Sequence, residues 1–151
     1  MASPTGLRRP RWFLLFLLID FAGLFLFLMG FQPGLFGLDR SPVMGYLQAI
    51  VFLIGLALIV VCTYALQTLL RPSGQLLTIR EDIGVRLSAT GYVLFAVSTT
   101  ADLIGLGSHP LPGAPYLGVL QSTGLLISTA VILIGFVLYH PRKIKPVPPA
   151  G

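Results

Sequence analysis

The chain has 151 residues, of which 55% are hydrophobic and only 10% are charged. Soluble domains carry about 25% charged residues on average, so this composition excludes an ordinary soluble domain and indicates an integral membrane protein. The net charge of +5 comes from sequences that flank the apolar runs. The basic residues do not form the clustered face with aromatic platforms that is typical of nucleic-acid binding, so no nucleic-acid partner is expected.

Four apolar segments are long enough to cross a bilayer as α-helices. About 20 helical residues cover the roughly 30 Å of hydrocarbon. The segments lack the alternation of barrel strands, and a chain in lipid must satisfy its own backbone, so helices are expected. In chain order, the predicted spans are residues 12–29, 44–70, 86–106 and 115–139.

The first span follows a basic lead-in, as a signal peptide does. Its apolar run is too long for one, Asp20 interrupts it, and no A-x-A-like site follows, so we expect a retained span. The spans divide the chain into five predicted segments: a cytoplasmic basic N-terminus at 1–11, a first transmembrane hairpin at 12–70, a cytoplasmic loop at 71–85, a second transmembrane hairpin at 86–140 and a cytoplasmic proline-rich tail at 141–151.

Basic residues predict the orientation. Three arginines precede the first span, two lie between the second and third spans with Arg86 at the start of the third, and three basic residues follow the fourth span, whereas the opposite side has only Arg40. Cytoplasmic loops carry an excess of lysine and arginine. The sequence therefore predicts a multi-pass protein of a cell inner (cytoplasmic-type) membrane, with both termini in the cytoplasm.

An internal repeat relates the two predicted hairpins. The segment "GYLQ" at 45–48 aligns with "GVLQ" at 118–121, and "DFAGL" at 20–24 aligns with "DLIGL" at 102–106. Both copies start on the cytoplasmic side, so a repeat of this kind has its axis along the membrane normal. The predicted fold is an all-α integral membrane protein with four transmembrane helices, arranged as two repeated hairpins in a four-helix bundle.

Small residues recur at heptad spacing along the second and fourth spans. Such stripes let membrane helices approach closely, and a polar residue on the stripe can form a hydrogen bond across the gap. The expected helix-packing residues are Gly45, Gly55, Gly118, Ser128 and Gly135.

A few polar residues lie within the predicted spans. An ionised carboxylate that faces lipid costs several kcal/mol, so the acids should face protein or water, or be protonated. Two interpretations are open: interhelical hydrogen bonds that fix the packing, which the repeat favours, or a proton or ion relay. The residues concerned are Asp20, Asp102, Gln48, Gln121 and Thr99.

No catalytic or nucleotide-binding motif occurs in the sequence, so we expect no enzyme activity, no catalytic residues and no cofactor. Cys62 is the only cysteine, which excludes an intrachain disulfide and leaves it without a partner for a metal site. His109 and His140 lie at opposite ends of predicted spans, so they cannot both ligate one haem.

The expected function is that of a small accessory or scaffolding subunit of a larger membrane complex. Its expected partners are the lipid bilayer and either other membrane protein subunits or further copies of itself. One alternative is a small homo-oligomeric transporter or channel in which Asp20 and Asp102 line the path. Another is a membrane-sensing module, although the short tails carry no output domain.

Overall fold

All regular secondary structure in the described residues is helical. The structure, a computed structural model, describes residues 9–37, 46–71, 76–101 and 119–141. A 3₁₀-helix at Pro33–Phe36 follows the first α-helix. The α-helices are α1 (Arg9–Phe31), α2 (Tyr46–Leu70), α3 (Ile79–Thr100) and α4 (Val119–Tyr139).

Three of the four helices are long and apolar enough to cross a membrane. The qualifying stretches are Arg11–Phe31, Leu47–Leu70 and Val119–Tyr139. They confirm the prediction of an all-helical membrane protein with transmembrane helices. α3 has sufficient length, but it carries several charged residues near its start and many Gly, Ser and Thr residues, so its composition does not show a span.

α3 begins at Ile79 rather than at the predicted Arg86. Thr78 caps the helix: its hydroxyl accepts a hydrogen bond from the Glu81 N–H at 3.4 Å, and the Glu81 carboxylate accepts one from the Thr78 N–H at 2.8 Å. This capping box satisfies two backbone donors at the helix start. The predicted loop at 71–85 therefore contains the first turns of α3.

The helices pack in two antiparallel pairs, α1 with α2 and α3 with α4, and glycines lie where each pair meets. A Cβ atom added to Gly55 would lie 2.8 Å from the Gly23 carbonyl oxygen. One added to Gly135 would lie 2.7 Å from the Gly84 carbonyl oxygen. The helix backbones of each pair are therefore in direct contact, as small residues permit in membrane proteins.

α2 is the central helix of the molecule, because it also contacts α3 and α4. The Phe52 ring of α2 lies 5.1 Å from the Phe95 ring of α3 in the buried core. In the described residues, the backbone of α1 does not approach α3 or α4 closely. Its Phe27 ring lies 6.3 Å from the Phe95 ring of α3. The predicted four-helix bundle is thus not confirmed.

Replacement of Gly55 by valine should destabilise the pair of α1 and α2. The new side chain would meet the Gly23 carbonyl and the Phe27 backbone, neither of which can move aside cheaply. We expect Gly55→Val to cost about 1–3 kcal/mol, measured as a lower thermal unfolding midpoint in detergent. The control is Ala22→Val at an exposed position of α1. Equal midpoints for the two variants would contradict the close contact.

Candidate functional site

Two glutamines link the helices of each pair at the predicted outer end of the molecule. Gln48, the third residue of α2, donates from Nε2 to the Gly30 carbonyl oxygen at 2.9 Å. Gln121, the third residue of α4, donates from Nε2 to the Thr99 carbonyl oxygen at a longer 3.5 Å. Each acceptor is the penultimate residue of the preceding helix. The last carbonyls of a helix have no intrahelical partner, and lipid cannot supply one, so each glutamine satisfies a group that would otherwise be costly.

Buried hydroxyl groups on α3 and α4 bond within their own helices. Thr99 Oγ1 donates to the Phe95 carbonyl at 2.9 Å, and Ser88 Oγ donates to the Gly84 carbonyl at 3.0 Å. Ser128, whose side chain is fully buried, donates to the carbonyl of Leu125 at 3.0 Å. The backbone carbonyls therefore occupy the hydroxyl protons of these three residues.

Asp20 lies near the middle of α1, in the seam with α2. The side chain is half-buried, and its Oδ1 atom is buried without a hydrogen-bond partner among the described residues. The Thr63 hydroxyl lies beside the carboxyl group, and Cys62 is nearby. This position keeps much of the carboxyl group away from lipid, where an ionised form would be costly.

Three of the residues singled out from the sequence, Asp102, Gly45 and Gly118, lie outside the described residues. The shared role predicted for Asp102 and Asp20 therefore stays a prediction, and only Asp20 can be placed, near the middle of α1.

The other small residues singled out from the sequence lie in the two seams between paired helices. Gly55 faces α1, as described above, and is buried. On α4, the Ser128 carbonyl lies 3.1 Å from a Cβ placed on Gly91, and Gly135 packs against the backbone at Ser88. These positions bring the helices of each pair together.

A buried ion pair joins α3 to the end of α2. Arg71 Nη2 lies 3.0 Å from Glu81 Oε2, and each side chain is only 9% exposed. A second ion pair, between Arg86 and Asp82 at 2.9 Å, is largely exposed. Exposed pairs contribute little, whereas a buried pair leaves a costly unpaired charge if either partner is lost.

Tyr139 extends this contact to α4. The Arg71 guanidinium lies 5.5 Å from the centre of the Tyr139 ring, a cation–π distance. The Tyr139 hydroxyl lies 2.7 Å from the Thr68 hydroxyl of α2. The ring also stacks on Tyr64 at 4.6 Å between centroids. We call Tyr64, Thr68, Arg71, Glu81 and Tyr139 the inner joint, since they connect α2, α3 and α4 at the end predicted to be cytoplasmic.

Burial of Glu81 favours its neutral form, but the hydrogen bonds from Thr78 and the positive charges of Arg71 and Arg80 outweigh this effect. The net result is a pKa of the Glu81 carboxyl group below its ordinary value of 4.5. Glu81 is therefore ionised at neutral pH and pairs with Arg71 as a charge-assisted contact.

The inner joint has little signal in the sequence. One signal was present: the "TIRE" segment at 78–81 has the spacing of a capping box and predicts a helix start there. The meeting of Tyr139 with Thr68 had no local signal, because it depends on how the two helix pairs pack together.

No group of three or more His, Cys, Asp or Glu side chains placed to hold a metal ion occurs in the described part of the chain. Comparison of the sequence with protein-family models and with curated proteins, and of the chain with solved structures, finds no match.

Loss of the Glu81 charge should destabilise the inner joint. Glu81→Gln keeps the side-chain length but leaves Arg71 without its anion, and we expect a cost of about 2 kcal/mol in unfolding free energy. The matched control is Asp82→Asn, which breaks the exposed pair one residue away and should cost about 0.3–0.5 kcal/mol. Chemical denaturation in detergent measures both. An equal effect of the two variants would contradict a buried ion pair.

The contribution of Glu81 should depend on pH. Because its folded pKa is lowered, the stabilisation is present above the ordinary value of 4.5 and is lost as the pH falls through the lower folded value. The stability difference between the unmodified protein and Glu81→Gln should therefore shrink below about pH 4.5. Unfolding midpoints across an acid series measure it. A difference that grows on acidification would have the wrong sign.

Proposed function

We propose that the chain is a non-catalytic integral membrane protein that serves as a small accessory or scaffolding subunit of a larger membrane complex. The supporting observation is how the described polar side chains are used. The glutamines bond to helix ends, the buried hydroxyls bond within their helices, and the buried charges bond to each other. The glutamine and ion-pair contacts hold helices together, and the hydroxyl contacts stay within single helices, so this use of the polar side chains favours a structural role.

The edge position of α1 supports a role in assembly. In the described residues, this helix packs mainly on α2, reaches α3 through the Phe27 ring, and leaves a wide apolar face exposed. A flat apolar helix face in a bilayer is covered by lipid or by another transmembrane helix. The exposed residues along it include Leu14, Leu18, Phe21, Phe25 and Leu28.

The proposal includes four spans, with α3 as the third, and both termini in the cytoplasm. It also includes a repeat of the two helix pairs, supported by the matching glutamine contacts. A Cβ atom added to Gly23 would lie 3.1 Å from the Gly55 carbonyl oxygen, and one added to Gly91 would lie 3.1 Å from the Ser128 carbonyl oxygen. Gly55 and Ser128 are aligned in the sequence repeat.

The decisive test is the native mass of the tagged protein after gentle extraction from its own membrane, with mass spectrometry of the co-purifying proteins. We expect larger membrane proteins in fixed stoichiometry. Phe21→Ala and Phe25→Ala together should weaken that association, whereas the same change at Val137, exposed on α4, should not. A homo-oligomer without other proteins would contradict the proposal.

A relay at Asp20 is the second candidate, favoured by the partnerless Oδ1 atom in the middle of α1. For a packing role, we expect Asp20→Asn to keep both the assembly and the activity of the purified complex, because the amide still forms hydrogen bonds. A relay requires the titratable proton. Loss of activity in an assembled Asp20→Asn protein, with activity retained in Asp20→Glu, would establish the relay instead.

A further inference from the structure

A long apolar groove follows α2 on the side where α3 and α4 approach it. Its larger part, about 320 Å³, runs along α2 from Ile50 to Val61 and reaches Tyr92 of α3. Its smaller part, about 180 Å³, lies between α2, α3 and α4 near Tyr64. Val61 lines both parts, so they follow one another along the same helix.

The shape of the groove fits an extended hydrocarbon chain. From Ile50 to Tyr64 the α2 axis rises by about 21 Å at 1.5 Å per residue. One leaflet of hydrocarbon is roughly 15 Å thick, so the groove is long enough for one acyl chain that enters from the headgroup region. The lining is almost entirely aliphatic or aromatic, and exposed Val61 and Ala89 mark where the groove opens to the surroundings.

Arg86 is next in sequence to the groove lining at the end that is predicted to be cytoplasmic. Arg86 directly follows Val85 and lies one turn before Ala89, and both of these residues line the groove. Its side chain is 77% exposed, although Nε bonds to Asp82. A guanidinium presents several donors in a plane that matches phosphate, and a long arginine side chain can extend toward the headgroups. The apolar groove and the accessible cation together match the two parts of an anionic phospholipid.

We infer that the groove binds an anionic phospholipid, with one acyl chain between α2 and α3 and the phosphate on Arg86. Basic sites between transmembrane helices on the cytoplasmic side recognise lipid headgroups in this way. Tyr64 and Tyr139 at the same end suit the membrane interface, where tyrosine is enriched. The inference is independent of the proposed subunit role, since a lipid site serves a subunit and a transporter equally.

The test is lipid retention by the full chain. The protein is reconstituted in nanodiscs of equal parts phosphatidylglycerol and phosphatidylcholine, released into the gas phase, and the bound lipids are counted by native mass spectrometry. We expect one retained phosphatidylglycerol, in preference to phosphatidylcholine. Arg86→Gln should lower the ratio of the two bound lipids about fivefold, whereas Arg11→Gln, at an exposed arginine of α1, should not.

Two variants fill the groove from opposite sides. Ala89→Phe acts from α3 and Val61→Phe from α2, and both positions are exposed enough to accept the larger ring. We expect either variant to abolish the retained lipid while its circular dichroism matches the unmodified protein. Ala130→Phe, at an exposed position of α4 that does not line the groove, is the control.

Three results would overturn the inference. Equal retention of the two lipids would contradict the role of Arg86. Unchanged retention in a folded groove-filling variant would contradict the position of the acyl chain. A change of oligomeric state in those variants, without a change in bound lipid, would assign the groove to a second copy of the chain instead.

Discussion

Close backbone contact between paired helices is the constraint on which this structure depends. Lipid tails are as apolar as leucine side chains, so hydrophobicity gives membrane helices little reason to associate. Packing must supply the attraction, and dispersion forces fall off steeply with distance. Gly23 and Gly55 in one pair, and Gly84 and Gly135 in the other, remove the side chains that would hold the backbones apart. Larger residues then pack around these points, as Phe52 and Phe95 do in the core.

Polar contacts are placed where the close packing ends. At the predicted outer end, Gln48 and Gln121 satisfy carbonyls of the preceding helices. At the opposite end, Arg71 and Glu81 form a buried pair that links α2 to α3. An unsatisfied polar group is costly in a low-dielectric environment. Each of these groups therefore favours the helix position in which its hydrogen bond or ion pair can form. Glycine contacts bring the helices of each pair together, and the end contacts specify their register.

Much of the fold could be predicted from the sequence, because long apolar runs in a membrane have few structural options. Composition is sufficient to predict three of the four helices as membrane spans. The heptad spacing of small residues places Gly55 in the stripe of α2 and Gly135 in the stripe of α4. The charged segment at the start of α3 predicts a loop, although the capping box of Thr78 and Glu81 is a local helix signal. The alignment of Asp20 with Asp102 stays a prediction, because Asp102 lies outside the described residues. Contacts between the pairs, such as Tyr139 with Thr68, have no local pattern to reveal them.

The position of Tyr139 in the chain has a consequence for biosynthesis. Each helix pair is held by contacts between neighbouring helices in the chain, so α1 and α2 can associate before the second pair has been made. The inner joint differs, because one of its two tyrosines, Tyr139, is the last residue of α4. Arg71 and Glu81 leave the ribosome well before the ring that covers Arg71 exists. Completion of the inner joint is therefore a late event in the maturation of the protein, and a chain truncated before Tyr139 would expose a basic side chain that the full-length protein conceals.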